Sequence, residues 1–83
     1  MPLYLDVHKH IPGATDEGVA GAHKKDLETQ TKYGVKYIKY WLDEKAGTVF
    51  CLVEAPNKEA AMRVHREAHG LVADDIYEVV ERS

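Results

Sequence analysis

Leu3, Leu5 and Val7 alternate with Tyr4, Asp6 and His8 near the start of the chain. That is the period of two expected of a strand with one buried face. Pro12-Gly13 closes this strand, and Thr15 follows as a helix N-cap with Asp16 and Glu17 in the first turn, where the helix dipole favours negative charge. A helix over Thr15–Tyr33 is expected, stopped by Gly34 at the C′ position. Its apolar side is drawn by Val19, Ala22, Leu27 and Tyr33, with His23 and Gln30 near the middle and Asp26 on the flank. Gly18 and Gly21 weaken this helix by about 1 kcal/mol each relative to alanine, so packing must hold it. Val35–Leu42, rich in aromatic and β-branched residues, reads as the second strand. Asp43–Gly47 reads as a hairpin loop, with Gly47 free to take a positive φ, and Thr48–Glu54 as the third strand. Asn57 caps a second helix over Asn57–His69 that ends at Gly70. Asp75–Val80 is the last strand.

The order β-α-β-β-α-β, with right-handed crossovers, predicts a single α+β domain over residues 1–83. Its fold is a ferredoxin-like βαββαβ sandwich: a four-stranded antiparallel sheet with two helices on one face. The other sheet face is then bare and carries Tyr, Trp or Phe from the middle strands. A domain of 83 residues buries only about 60–65% of its unfolded surface. A homodimer through the open sheet face is therefore the expected repair.

Composition removes several function classes. Net charge is −3, with acids and bases interspersed and no basic stripe to neutralise phosphates, so nucleic acid is not an expected partner. The longest apolar run, Thr48–Val53, is too short to cross a bilayer. The first residues lack the basic and apolar regions of a signal peptide, so no membrane partner is expected. The lone Cys51 sits mid-strand between Phe50 and Leu52 and reads as a buried structural thiol in a reducing, cytoplasmic compartment. No Ser/His/Asp grouping, glycine-rich phosphate loop or CxxC is present, so no catalytic residues are assigned and the chain does not read as an enzyme.

Five histidines are about twice the usual share. On the second helix Ala60, Ala61, Val64 and Ala68 form the sheet-facing stripe. His65 and His69 lie together on its flank, one turn apart and about 5–6 Å from each other at Cβ. Two imidazoles at this spacing can converge on one divalent ion. The chain reads His65-Arg-Glu-Ala-His69, with Arg66 where a zinc-protease glutamate would stand, which excludes that chemistry. His8 shares a strand face with Asp6, and with His10 if the strand extends that far. Glu54 and Glu78 add carboxylates at sheet level. The candidate metal ligands are thus His65, His69, His8, Asp6, Glu54, His10 and His23, although His23 also reads as a satisfied core histidine. Imidazole and carboxylate suit nickel, zinc and copper alike.

Several segments resemble a known family. They are Tyr4–His8, His23–Gln30 with Tyr33-Gly34-Val35, Tyr40–Asp43, Gly47–Pro56, and Val64–Gly70 with Ala73-Asp74. Together they resemble the small ferredoxin-like nickel-responsive, nickel-binding proteins over essentially the whole chain. The resemblance implies a homodimer, with nickel or another divalent transition metal held by surface histidines and carboxylates for sequestration or metal response. The alternatives are a dimeric α/β-barrel cofactor-independent oxygenase, with a cavity walled by Trp41, Tyr40 and Phe50, or a plain small-molecule-binding module.

Overall fold

The structure is a computed structural model that describes residues 1–11 and 15–82. The expected break at Pro12-Gly13 lies outside the described residues. The elements are β1 (Leu3–His8), α1 (Asp16–Thr29) continued by a 3₁₀ turn (Gln30–Tyr33), β2 (Lys36–Asp43), β3 (Thr48–Glu54), α2 (Lys58–Ala68) and β4 (Asp75–Val79). All pairings are antiparallel, in the order β2-β3-β1-β4, which is the ferredoxin-like sandwich. Thr15 caps α1 through Gly18 N–H at 3.1 Å, and Asn57 caps α2 through Ala60 N–H at 2.8 Å. Gly34 has φ of 66°, the left-handed stop expected at C′. Gly47 also has φ of 66°. Its carbonyl accepts from Ile11 N–H at 3.0 Å, which ties the β2–β3 hairpin to the segment after β1.

Tyr4, Tyr37, Val49, Cys51 and Val53 on the sheet form one buried cluster with Ala61 and Val64 of α2, and Val19 of α1 packs on it. Both helices therefore cover the same sheet face. That face carries Tyr4, Asp6 and His8 from β1, not Leu3 and Leu5, which point to the open side and are only half-buried. The alternation was legible, but the more polar register faces inward. Two polar residues can do so because they bond to one another and to α2, as described below.

β2 departs from strict alternation. Tyr37 pairs with Val53 and Lys39 with Leu52, so Ile38 is an extra residue in a bulge. The slip lets Tyr37 and Tyr40 both face the helices and sends Trp41 outward beside Phe50. The open face is apolar at its centre, with Leu5, Phe50 and Leu52 half-buried. Trp41 and Tyr77 at the sides are about half exposed, at 49% and 52%. Of the expected aromatic wall, Tyr40 faces the helices while Trp41 and Phe50 lie on the opposite side of the sheet.

Candidate metal centre

The position of α2 over β1 brings residues distant in sequence onto one carboxylate. His65 follows Val64 and lies one turn after Ala61, both fully buried, so its side chain enters the core and not the helix flank. At 1% exposed it is among the most buried side chains of the protein. This corrects the expectation of surface histidines. His8 is buried too, and His69 is only partly exposed.

Asp6, itself 1% exposed, meets three donors. His65 Nε2 lies 3.0 Å from Oδ2, the Tyr37 hydroxyl donates to Oδ2 at 3.1 Å, and His8 Nε2 lies 3.1 Å from Oδ1. A carboxylate can only accept, so both imidazoles turn an N–H toward it. On the far side of the His65 ring, Nδ1 lies 2.9 Å from Asp26 Oδ1. His69 Nε2 reaches the same oxygen at 3.0 Å. His65 therefore donates from both nitrogens and is an imidazolium.

The electrostatics follow from these contacts. Burial by itself would lower the His65 pKa, but the carboxylates of Asp26 and Asp6 outweigh it and hold the pKa up at about 9. Burial would raise Asp6, yet the bonds from His65 and His8 keep it well below the usual carboxylate range. Asp26 is lowered against its own burial by His65 and His69. Burial, together with the charges of Asp6 and Asp26, pushes the Tyr37 hydroxyl far up. Burial also keeps the Cys51 thiol protonated, as expected of a structural cysteine, with Asp6 adding to the effect.

Among the described residues two donor groups result, the ligand atoms of each all within 4.8 Å of one another: Asp6, His8, Cys51 and His65 on one side, and Asp26, His65 and His69 on the other. Donors about 2.0–2.1 Å from one ion stand about 3.0 Å apart at a right angle and about 3.4 Å apart at the tetrahedral angle. His8 Nε2, His65 Nε2 and their nearest Asp6 oxygens are separated by 3.0–3.3 Å. The donor set thus fits a divalent ion of the class bound by imidazole and carboxylate.

The remaining expected ligands lie elsewhere. Glu54 pairs with Leu3 on the open face of the sheet, opposite the cluster, because it is an odd number of residues from Cys51. β1 ends at His8, so His10 does not continue its face; it is exposed, with φ of 55°. Glu78 in β4 is exposed. His23 is half-buried, its ring centroid 5.0 Å from that of Tyr40, and it belongs to neither donor group. It is not a satisfied core histidine, since its Nδ1 is buried without a hydrogen-bond partner among the described residues.

Asp26 and Tyr37 were missed as site residues. Leu27, assigned to the apolar side of α1, is 43% exposed, whereas Asp26 is 2% exposed. A signal was present: Val19, Ala22, Asp26, Gln30 and Tyr33 recur at the helical spacing, and Gln30 accepts from Tyr37 N–H at 2.7 Å. Polarity at two of those positions hid the stripe.

The fold and the cluster define a ferredoxin-like α+β protein with a buried imidazole–carboxylate centre. The chain belongs to the family described as "Nickel responsive protein SCO4226-like", whose model matches residues 4–79. It is similar to a solved structure, "Crystal structure analysis of SCO4226 from Streptomyces coelicolor A3(2)", with 37% identity and a TM-score of 0.90, covering 98% of this chain and 99% of that one. Among curated proteins no match is found.

Proposed function

We propose that this chain binds one divalent transition ion, nickel in keeping with its family, and serves in sequestration or metal response. The observation that carries this reading is the meeting of His8 Nε2, His65 Nε2 and the Asp6 carboxylate within 3.3 Å of each other in a buried site. In the metal-free protein, protons on the two imidazoles occupy the space between these donors and Asp6. Binding would displace them, with the ion supplying the positive charge that Asp6 otherwise receives from N–H groups. Asp26 on the other nitrogen of His65 would then hold the ring in its ligating orientation, as carboxylates behind metal-bound histidines do. His69 is a ligand only if the ion sits on the Asp26 side. Among the described residues no helix is long and apolar enough to cross a membrane.

Nickel calorimetry on the wild type, His8→Ala, His65→Ala, His69→Ala and a His10→Ala control tests the assignment. Loss of one of two imidazoles should weaken binding by at least about tenfold for His8→Ala and His65→Ala, since outer ligands alone account for about that much. His10→Ala should bind like the wild type. Loss in His69→Ala but not His8→Ala would move the ion to the Asp26 side. No binding heat in the wild type, or a loss confined to His10→Ala, would refute the buried centre.

The homodimer is part of the same proposal. Leu5, Phe50, Leu52, Trp41 and Tyr77 share the uncovered sheet face, and covering it would bury apolar area that a chain of this size needs. Light scattering at micromolar concentration should give twice the chain mass. A single-chain mass would remove this part of the proposal.

A further inference from the structure

Between α1, α2 and the sheet, a pocket of about 210 Å³ opens beside the centre. Its walls are mostly apolar, including Ile11, Val19, Val49 and Leu71, and its polar end is formed by His8, Asp26, His65 and His69 with His23. The metal reading uses the polar end and leaves both the apolar walls and His23 unexplained. Bare surface histidines would bind an ion without any such cavity. We infer that this pocket is a binding site for a small, neutral, largely apolar organic molecule carrying one hydroxyl, of the phenol class, with His23 and Asp26 as its polar anchors.

The size agrees with that class. Cavities of about 150 Å³ with aliphatic walls stay dry and accept benzene, so a pocket slightly larger admits a ring with one substituent. The chemistry of His23 narrows it further. Its Nδ1 is buried without a partner among the described residues, and an orphaned buried N–H is rarer than an orphaned acceptor. The proton therefore resides on Nε2, which leaves that nitrogen a donor. Asp26 lies three residues along the same helix, so its carboxylate and the His23 ring are neighbours on one face. A hydroxyl is a small group that can accept from His23 Nε2–H and donate to the Asp26 carboxylate at once. Neutrality follows from the charges at the polar end. Asp26 puts a carboxylate in the pocket wall, so an anion would be repelled there. This goes beyond metal binding and does not depend on it.

The test is a titration of the EDTA-treated protein with phenol and, separately, with toluene, followed by amide chemical shifts. Chelator keeps the result independent of whether the centre takes an ion. Phenol should bind saturably, with a dissociation constant of order 1 mM for so small a ligand. The shifts should be centred on Ile11, Val19, Val49 and Leu71, and toluene should bind about tenfold more weakly for want of the hydrogen bonds. His23→Phe keeps a ring against Tyr40 but removes the donor; it should weaken phenol about tenfold and leave toluene unchanged. Val19→Phe fills the pocket and should abolish both ligands while the remaining amide pattern shows an intact fold. Absence of saturable shifts up to about 20 times that dissociation constant would overturn the inference and leave the pocket to water. Equal affinity for phenol and toluene, insensitivity to His23→Phe, or phenol binding that survives Val19→Phe would overturn it as well.

Discussion

Asp26→Asn probes the buried ion cluster with almost no change of shape. The variant keeps an acceptor for His65 Nδ1–H and for His69 but removes the negative charge. A rise of the His65 pKa from 6.5 to about 9 corresponds to about 3 kcal/mol of preference for the imidazolium in the folded protein. Asp6 and Asp26 share that effect at similar distances, 3.0 and 2.9 Å. Removing one charge, and with it the charged acceptor for His69, should cost about 2 kcal/mol at pH 7. For a domain of this size that lowers Tm by about 8–16 °C. The pH dependence identifies the cause. A group whose pKa is raised on folding contributes stability that is complete below its unfolded value of 6.5 and is lost as pH rises through about 9. At pH 10 the wild type has already lost its imidazolium, so the gap between wild type and Asp26→Asn should shrink to under about 1 kcal/mol. Urea denaturation of both proteins at pH 7 and pH 10, read by far-UV circular dichroism, measures it. A gap that stays constant between the two pH values would refute the assignment of the stabilisation to a His65–Asp26 ion pair.

Other outcomes follow from single contacts. Tyr37→Phe removes a hydroxyl shared between Asp6 Oδ2 at 3.1 Å and Ala61 O at 3.0 Å; it should destabilise the fold by about 1–3 kcal/mol in urea titration, and a change below about 0.5 kcal/mol would show that neither bond matters. Gly47→Ala sets a side chain on a residue with φ of 66° and brings its Cβ to 3.2 Å from Ile11 O; a loss of at least about 1 kcal/mol is expected in thermal unfolding. Gly34→Ala is the contrasting case, since its added Cβ meets nothing within 4 Å. It should carry only the conformational cost and so be milder than Gly47→Ala; the reverse order would contradict the Ile11 contact.

The open sheet face and the buried centre were unequally visible in the chain. Element order, both N-caps, the helix stop at Gly34 and the hairpin glycine Gly47 were legible because they depend on residues within a few positions of one another. Such local preferences act through backbone geometry and hydrogen bonds that close within a turn. The pairing of Asp6 with His8 was legible for the same reason. Period-two alternation also announced β1 and its two faces, but alternation says nothing about which face turns inward. That choice was made by α2, which supplies His65 to a carboxylate 59 positions away. Burial of Asp6 and His8 is tolerable only once that partner arrives, since a buried charge without a bonded counterpart costs far more than an exposed leucine. The same logic hid Asp26, which looks like a flank residue on α1 until His65 and His69 stand opposite. Ile38 is the remaining case: one extra residue in β2 reverses the side on which Tyr40 and Trp41 lie, and only pairing with β3 could decide where the extra residue is accommodated. The chain by itself determined its elements and their order. Long-range pairing decided which polar groups meet, because a polar residue's place inside or outside depends on a partner that local sequence does not contain.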